Sequence, residues 1–377
     1  MLKMTEAMKF EREALEELSA LLDRIPIVRL EGVRTEHEGG ADQEADAIVD
    51  LLVGETPYTL YCEFKTNGHP KAVRSAIDQL NHWRLAKPND AALFAAPYIS
   101  EPARDLCVAA GVNYFDLHGN FRIFLGSLFI EGRTNDKPAV EKRDLKSLFK
   151  PKSARVLRWL MRAPLTPMRL KDIAEGAKVS LGQVHNVKEG LLHREWAQST
   201  PEGVVLTDPD GLVDAWREAY EPAPAETRSY YTILHGEALT QKLRALMADD
   251  RREPVLALGA YSAASWLAPY VRDETTTLYA WPEALAGLET ALSLEPAAKG
   301  ANVKVKVLEE ESVLLDAVEV APDLLITSPV QTYLDLYASG DRGREAAEFL
   351  RKKGFAWPQW LKSIRPRRPT TIGRSRP

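Results

Sequence analysis

The stretch YCEFKTNGHPKAVRSAIDQL, from Tyr61 to Leu80, contains a short strand pattern that runs directly into a helix pattern. Successive side chains of a strand point to opposite faces, so Glu63 and Lys65 share one face while Cys62 and Phe64 share the other. The apolar face predicts a buried sheet surface. The polar face brings a carboxylate and an ammonium group side by side, which makes it a candidate functional site.

This stretch lies in a region where strand and helix patterns alternate. An amphipathic helix is predicted over residues 5–23, and apolar strand patterns separated by two helix patterns follow it. The alternation predicts an α/β domain over residues 1–135, followed by a charged linker.

Two further domains and a tail are predicted beyond that linker. Residues 150–220 contain three helix patterns and a hairpin, which is the element order of a winged helix-turn-helix. The segment EPAPAETRS, residues 221–229, is predicted to be a second linker. Residues 230–361 mix strands and helices, and the basic residues 362–377 are predicted to be disordered. The predicted fold class is therefore a multidomain combination of α/β and α+β domains.

The composition is typical of a soluble globular protein, with 45% hydrophobic and 27% charged residues. The amino-terminal pattern is a charged helix instead of a signal peptide, so we expect a cytoplasmic protein with no membrane partner. Cys62 and Cys107 lie in apolar runs and are predicted to be core residues. The net charge is −5, yet residues 151–207 hold nine Lys/Arg against five Asp/Glu. Together with the basic tail, this local excess favours binding to a polyanion.

Metal-dependent hydrolysis of a phosphodiester needs two or more carboxylates that converge on a divalent ion, and a cation near the reacting groups. Glu63 and Lys65 supply one group of each kind. Asp46, in the preceding strand pattern, can supply a second carboxylate, and Glu17 or Glu13 of the first helix a third. The simpler alternative is a half-exposed strand with a surface ion pair that contributes about 0–1 kcal/mol.

With these residues in place, residues 5–132 resemble the PD-(D/E)xK restriction-endonuclease-like superfamily. Its core is a helix, a β-hairpin that carries Asp and then Glu-x-Lys, a second helix and further strands. The resemblance implies that Asp46 and Glu63 bind Mg²⁺ or Mn²⁺, that Lys65 stabilises charge during catalysis, and that the helix-borne Gln79 supports the site. An alanine precedes Asp46 where the superfamily motif has proline.

The segment YFDLHGNFRI, from Tyr114 to Ile123, allows two interpretations. His118 and Asn120 can line the same cleft as Glu63. Alternatively, the Gly and Asn residues form a turn between two strands, because both residue types favour turn conformations. We prefer the turn.

The third helix pattern of the winged helix-turn-helix is predicted to begin at Ser180. Ser180 and Gln183 match the S-x-x-Q capping box, and the apolar stripe of this helix consists of Val184, Val187 and Leu191. Polar side chains on the opposite face are candidates for contacts with DNA bases: Gln183, His185 and Asn186. Basic side chains of the module are candidates for phosphate contacts: Arg155, Arg158, Arg169, Lys171 and Lys188. The alternative is a winged helix that binds protein.

The segment APDLLITSPVQTYLDLYASGDRGREAAEFL, residues 321–350, follows the predicted winged helix. Residues 151–355 resemble the AbiEi family of type IV abortive-infection antitoxins and their regulator relatives, and the run Ser328–Gln331 is the strongest part of the resemblance. It implies a DNA-binding winged helix joined to a C-terminal domain with a nucleotidyltransferase-like fold.

A working nucleotidyltransferase needs a Gly-Ser turn followed by a strand with paired carboxylates for metal. GAYS, residues 259–262, matches a relic of that turn, but the next strand pattern carries Thr275, Thr277 and Tyr279 instead of carboxylates. We therefore expect no nucleotidyl transfer and favour a role in protein interaction or oligomerisation.

Two functional hypotheses remain open from the sequence. The first is a DNA-binding transcriptional regulator or antitoxin-like protein whose winged helix docks on duplex DNA, with a cognate protein or a second copy bound through the C-terminal domain. The second is a Mg²⁺-dependent DNA endonuclease that the winged helix targets to its substrate.

Overall fold

The computed structural model describes residues 5–35, 45–83, 88–134, 137–248, 254–270, 274–310, 313–354 and 365–366. The chain forms two compact units. The first contains residues 1–143 and 192–195, and the second contains residues 144–191 and 196–377.

The first unit is built around a seven-stranded sheet with the strand order β1-β2-β3-β4-β5-β6-β7. The elements, in chain order, are α1 (Glu6–Asp23), β1 (Val28–Thr35), β2 (Ala47–Val53), β3 (Thr56–Phe64), α2 (Pro70–Trp83), β4 (Asp90–Ala96), α3 (Glu101–Ala110), β5 (Asn113–Asp116), β6 (Phe121–Leu125), β7 (Leu128–Gly132) and α4 (Ala139–Leu148). The strands β3, β4 and β5 are parallel, and the flanking pairs are antiparallel.

Two apolar clusters cover the faces of this sheet. Phe10, Ala14, Leu18 and Leu22 recur every four residues along α1 and pack in the same cluster as the buried side chains of β2 and β3. The second cluster contains side chains of α2 and α3 together with β4 and β5. The predicted alternation of strands and helices is confirmed. Cys62 and Cys107 are buried free thiols, one in each cluster, as predicted.

The second unit begins with three helices and a hairpin in the predicted order: α5 (Pro151–Met161), α6 (Leu170–Gly176), α7 (Leu181–His193), β8 (Ala197–Thr200) and β9 (Gly203–Leu206), followed by α8 (Pro209–Glu218). Met168, in the loop before α6, forms an isolated antiparallel bridge with Val204 of β9. The predicted stripe of α7 is confirmed, because Val184, Val187 and Leu191 are all buried.

The rest of the second unit is a mixed sheet with the order β13-β10-β14-β12-β11-β16-β15-β17 and helices packed on it. Its elements are β10 (Ala225–Tyr231), α9 (Gly236–Met247), β11 (Leu256–Leu258), α10 (Ala260–Leu267), β12 (Thr276–Ala280), α11 (Pro282–Leu292), β13 (Glu295–Pro296), β14 (Val303–Leu308), β15 (Val318–Ala321), β16 (Leu324–Ile326), α12 (Pro329–Tyr337), α13 (Asp341–Gly354) and β17 (Arg365–Pro366).

The predicted second linker, residues 221–229, is partly wrong. Residues 225–229 belong to β10, which pairs along its length with β14. The strand replaces the linker because Tyr230 is buried and the backbone of the segment is hydrogen-bonded to a central strand of the sheet.

The sequence also predicted separate domains over residues 150–220 and 230–361. The structure places both ranges in one compact unit, apart from residues 192–195. Buried polar contacts join the two ranges, because Arg158 of α5 contacts Gln331 of α12 and Asp316, which precedes β15. Most of the tail over residues 362–377 lies outside the described residues, and Arg365 and Pro366 pair with β15. Across the described ranges, every helix is too short or too polar to cross a bilayer.

Candidate functional site

The Glu-x-Lys pattern lies at the carboxyl end of β3, in the interior of the first sheet. Glu63 is only 2% exposed, and the ammonium group of Lys65 donates a hydrogen bond to its carboxylate. The backbone N–H of Lys65 donates to Ala95 O of β4 at 3.0 Å, which fixes the chain after the strand. Because the side chain of Lys65 is one-third exposed, this ion pair connects a buried carboxylate to the protein surface.

Asp46 lies beside this pair. The antiparallel register places Ala47 of β2 opposite Cys62 of β3, so Asp46 comes opposite Glu63, where side chains on adjacent strands are neighbours. The Asp46 carboxylate accepts a hydrogen bond of 2.7 Å from the backbone N–H of Phe64. Burial raises the pKa of the Cys62 thiol, and the negative charge of Asp46 raises it further. The structure therefore pairs Glu63 with Lys65 and ties the Asp46 carboxylate to the backbone of the same strand, one residue after Glu63.

Glu17 and Gln79, the other two residues predicted for this site, are both exposed. Glu17 is exposed on α1, next to the buried Leu18. Gln79 is exposed on α2, and the core-facing residues of that helix are Val73, Ala76 and Leu80. Among the described residues, no group of three or more Asp, Glu, His or Cys side chains is arranged to hold a metal ion. The predicted set of three carboxylates is therefore not assembled, because Glu17 faces solvent.

Glu141 of α4 forms a second, largely buried ion pair in the first unit. Its carboxylate lies 3.3 Å from His69 Nε2, and Arg194, which also belongs to the first unit, lies 3.0 Å from its other oxygen. Burial by itself raises the pKa of Glu141. The hydrogen bond and charge of His69, followed by the charge of Arg194, outweigh burial and hold this pKa at about 2, compared with an ordinary value of 4.5.

Acid is expected to destabilise the protein through Glu141. A carboxyl group with a lowered pKa in the folded state stabilises that state above its unfolded pKa, and this contribution is lost as pH falls through the folded pKa. The window therefore runs from about 4.5 down to about 2. In urea unfolding at several pH values, Glu141→Gln should reduce the pH dependence in this window, whereas the exposed control Glu101→Gln should not. An unchanged pH profile for Glu141→Gln would contradict the assignment.

The segment between β5 and β6 is a turn, as we preferred. Asp116, at the end of β5, accepts hydrogen bonds from the backbone N–H groups of Ile99, His118 and Asn120 at 2.8–2.9 Å. Gly119 has a φ of +90°, a conformation that favours glycine. Asn120 is fully buried and its side-chain oxygen accepts from the backbone of Thr134 at 2.9 Å. These polar side chains are therefore occupied in holding the turn.

The start of α7 is capped as the sequence predicted, but only in part. The Ser180 hydroxyl accepts a hydrogen bond of 3.2 Å from the backbone N–H of Gln183. The Gln183 amide does not return to Ser180, and instead donates to the Ser153 hydroxyl of α5 at 2.9 Å. The prediction that Gln183 reads a base is therefore corrected: its amide contacts a neighbouring helix. His185 and Asn186 are exposed on the same helix.

The basic residues predicted to contact phosphates divide into two groups. Arg169 and Lys171, at the start of α6, are exposed. Lys188 is partly buried and lies 3.5 Å from Glu189. Arg155 and Arg158 of α5 instead point into the second unit, so neither is available to a phosphate at the surface.

Arg155 lies 3.9 Å from Glu310, and Arg158 is 3% exposed and lies 3.6 Å from Asp316. Arg158 also stacks over the ring of Trp216 at 5.1 Å and donates a hydrogen bond to Gln331 of α12. The predicted phosphate contacts of Arg155 and Arg158 are therefore replaced by internal ion pairs.

Sequence reasoning missed the polar network that surrounds Gln331. Gln331 donates to Asp335 at 2.7 Å and to the Tyr220 hydroxyl at 2.8 Å. Asp335 also accepts from the hydroxyls of Tyr220 at 2.7 Å and Tyr279 at 2.9 Å. Burial, followed by the charge of Asp335, raises the pKa of both tyrosines. The sequence did contain a signal for this network. In the helix pattern PVQTYLDLY, Gln331 and Asp335 are four residues apart and therefore lie on one face of the helix.

The strand in which the sequence predicted threonine and tyrosine in place of metal-binding carboxylates is β12. Thr277 and Tyr279 are both buried in it, and the Tyr279 hydroxyl accepts a hydrogen bond of 3.0 Å from Lys306 of β14. Ser262, from the GAYS turn, accepts a hydrogen bond of 2.9 Å from the backbone N–H of Thr277. These residues form structural contacts within the sheet and with α10.

Parts of this chain are similar to known proteins. A solved structure of EndoMS in its apo form is similar over 28% of this chain and 45% of that chain, with 14% sequence identity and a TM-score of 0.21. The chain thus spans less than half the length of that structure. No curated protein matches the chain. The family model described as "Transcriptional regulator, AbiEi antitoxin, Type IV TA system" matches residues 205–356. The predicted resemblance to the AbiEi family is confirmed for that region, while residues 151–204 lie outside the match.

Proposed function

We propose that this protein is a DNA-binding transcriptional regulator of the antitoxin type, and that residues 150–206 dock on duplex DNA. The observation that carries this proposal is the exposed face of α7. His185 and Asn186 lie there, near the capped start of the helix, while the opposite face is buried. A recognition helix in this position presents its first turns to base edges in the major groove.

The element order supports a winged helix-turn-helix. In this plan a short strand between the first two helices pairs with the hairpin that follows the third helix, and the bridge between Met168 and Val204 provides that pairing. The exposed Arg169 and Lys171 lie directly after the bridge. The AbiEi model match over residues 205–356 supports the same function, since its description names a transcriptional regulator and antitoxin.

The C-terminal region is proposed to bind a cognate protein or a second copy of this chain. Nucleotidyl transfer is not proposed, because Thr275, Thr277 and Tyr279 occupy the positions where metal-binding carboxylates are needed. No membrane partner is proposed.

Replacing exposed residues of the module should separate two kinds of DNA contact. Arg169→Ala and Lys171→Ala should each weaken binding to every duplex sequence and reduce the salt slope by about one unit for each lost phosphate contact. Asn186→Ala should cost about 1–3 kcal/mol, mainly on the preferred sequence. The measurement is fluorescence anisotropy with a selected duplex and a scrambled duplex over a range of salt concentrations.

The matched control is Lys242→Ala, which removes an exposed cation from α9 in the same unit. It should leave both the affinity and the salt slope unchanged. Wild-type binding that does not depend on salt, or an Arg169→Ala, Lys171→Ala and Asn186→Ala combination that binds like wild type, would show that this module contacts protein instead of DNA.

A second candidate function is a divalent-metal-dependent DNA endonuclease in the first unit. The observation that favours it is the position of Asp46, which directly precedes β2 and accepts a hydrogen bond from the backbone N–H of Phe64, beside Glu63 and its hydrogen-bonded Lys65. Two carboxylates suffice for Mg²⁺, which keeps several waters and uses substrate phosphates as further ligands. Asp46 and Glu63 would hold Mg²⁺ or Mn²⁺, which when bound supplies Lewis-acid activation of water or phosphate. Lys65 would stabilise negative charge on the phosphate.

A further inference from the structure

The exposed face of α7 has fewer hydrogen-bonding groups for DNA bases than its sequence suggests. The Ser180 hydroxyl accepts from the backbone N–H of Gln183, and the Gln183 amide donates to Ser153 of α5. Both polar groups are therefore occupied within the second unit. The residues of the first two turns that remain exposed are Leu181, Gly182, His185 and Asn186.

The charge pattern of this face fits duplex DNA. Residues 181–187 contain no Asp, Glu, Lys or Arg, whereas exposed cations precede them at Arg169, Lys171 and Lys178. The base edges in the major groove are uncharged and the phosphates beside it are anionic, so an uncharged face that follows cations matches both. The exposed carboxylate of Glu189 comes in the third turn, which limits the matching part of α7 to its first two turns.

Gly182 is a glycine that the fold does not require. Outside the helix backbone and its neighbours in the chain, a Cβ atom added to it would approach only Ser180 Oγ, at 3.9 Å. The residue lies within α7, and glycine is among the poorest helix formers. A glycine at an exposed position lets the atoms of a partner approach the backbone closely. We therefore expect the partner of α7 to lie against Gly182.

Leu181 is the large apolar side chain on this face. It is the first residue of α7 and is 48% exposed. Single exposed leucines are common, so the role of this one depends on what the face contacts. When a recognition helix lies in the major groove, the residues at its start meet base edges, and the apolar group that the bases present there is the thymine methyl group. The chemical complement of Leu181 is therefore a thymine.

We propose that Leu181 is a specificity-determining residue that packs against the methyl group of a thymine in the preferred DNA site, and that Gly182 allows the close approach that this contact needs. The proposal rests on the DNA binding proposed above, and names a base that α7 distinguishes. Asn186, in the next turn of the same face, can add paired hydrogen bonds to an adenine. The preferred site is therefore expected to contain A·T base pairs where α7 enters the groove.

Duplexes in which deoxyuridine replaces thymine test the proposal, because deoxyuridine lacks the methyl group and keeps the hydrogen-bonding groups of the base. The full-length protein first selects a preferred duplex from a random library, and each thymine is then replaced singly. At one thymine of each bound site the replacement should weaken binding about fourfold in fluorescence anisotropy, as expected when one methyl group is lost from an apolar contact. Leu181→Ala should weaken binding to the thymine duplex by a similar factor, and deoxyuridine at that position should then have no further effect.

A second variant tests the close approach at Gly182. Gly182→Ala should weaken binding to every duplex about tenfold, because the added methyl group holds the backbone away from the groove, while stability in urea should not fall. The matched control is Gly287→Ala, which adds a methyl group at an exposed and open position of α11 and should leave DNA binding unchanged. Leu165→Ala removes an exposed leucine between α5 and α6 and should retain the response to deoxyuridine.

Three results would overturn the proposal. They are a wild-type affinity that no deoxyuridine replacement changes, a Leu181→Ala variant that still responds to deoxyuridine like wild type, and a folded Gly182→Ala variant that binds like wild type. In each case, salt-dependent binding of the wild-type protein to duplex DNA would leave the proposed DNA docking in place. A wild-type protein that selects no duplex would overturn the DNA docking and the thymine contact together.

Discussion

Replacement of Arg158 by methionine is expected to lower the free energy of unfolding by about 3–5 kcal/mol, because it leaves a buried carboxylate without its cation. Arg158 is 3% exposed and lies 3.6 Å from Asp316, which is 4% exposed. The substitution also removes the hydrogen bond to Gln331 and the stacking over Trp216. Urea unfolding monitored by tryptophan fluorescence measures the change, and Lys152→Met, at an exposed position of the same helix, should change stability little.

The double variant Arg158→Met and Asp316→Leu distinguishes the energetic effect of the ion pair from that of side-chain packing. When both charges are replaced by apolar groups, the desolvation cost disappears together with the attraction, and the stability should recover most of the loss. A double variant that is as unstable as the sum of its two single variants would show that the two residues do not act as a pair.

The polar face at the end of β3 could be predicted because it depends on local periodicity. Glu63 and Lys65 are two residues apart on a strand, and this spacing alone places them on one face. Asp46 follows from the same rule once β2 and β3 pair as a hairpin, and the register between Ala47 and Cys62 provides that pairing. The exposure of Glu17 could not be predicted in this way, because it depends on which face of α1 packs on the sheet.

The buried position of Arg158 depends on long-range packing, although the sequence contained a signal. Arg158 lies four residues after Ala154 and three residues before Met161, both of which are buried, so it falls on the apolar face of α5. A charged residue is usually exposed, so the sequence predicted that Arg158 contacts phosphate at the surface. Its partner Gln331 lies 173 residues further along the chain, a separation that local patterns do not encode.

The incorrect prediction of a linker at β10 has the same cause, because local patterns do not encode pairing with distant strands. Residues 221–229 begin with alternating proline and alanine residues that resemble a linker, and the strand forms only because β13 and β14 offer backbone partners much later in the chain. Strand formation depends on such distant pairing, so the intrinsic strand propensities of the residues predict it only weakly.

Loss of the Glu63 carboxylate is expected to slow any DNA cleavage by this protein strongly. If the first unit hydrolyses DNA, cleavage of plasmid should require Mg²⁺ or Mn²⁺, and Glu63→Gln should slow it at least about 100-fold, because metal activation contributes several kcal/mol to the barrier and each 1.36 kcal/mol changes the rate tenfold. Glutamine has nearly the same shape as the glutamate that it replaces, and Lys65 is one-third exposed and can remain hydrated, so the fold should persist. Circular dichroism and urea unfolding establish that the variant is folded.

The matched control for this measurement is Glu55→Gln, which removes an exposed carboxylate from the turn between β2 and β3 and should leave cleavage unchanged. Asp46→Asn should slow cleavage in the same way as Glu63→Gln, since both carboxylates would bind one ion. Cleavage that persists at the wild-type rate in folded Glu63→Gln would exclude this site as its source. If no divalent ion supports cleavage, and the second unit binds DNA in a salt-dependent way, regulation is left as the function of the protein. Glu63 and Lys65 then serve as a partly buried ion pair at the end of β3.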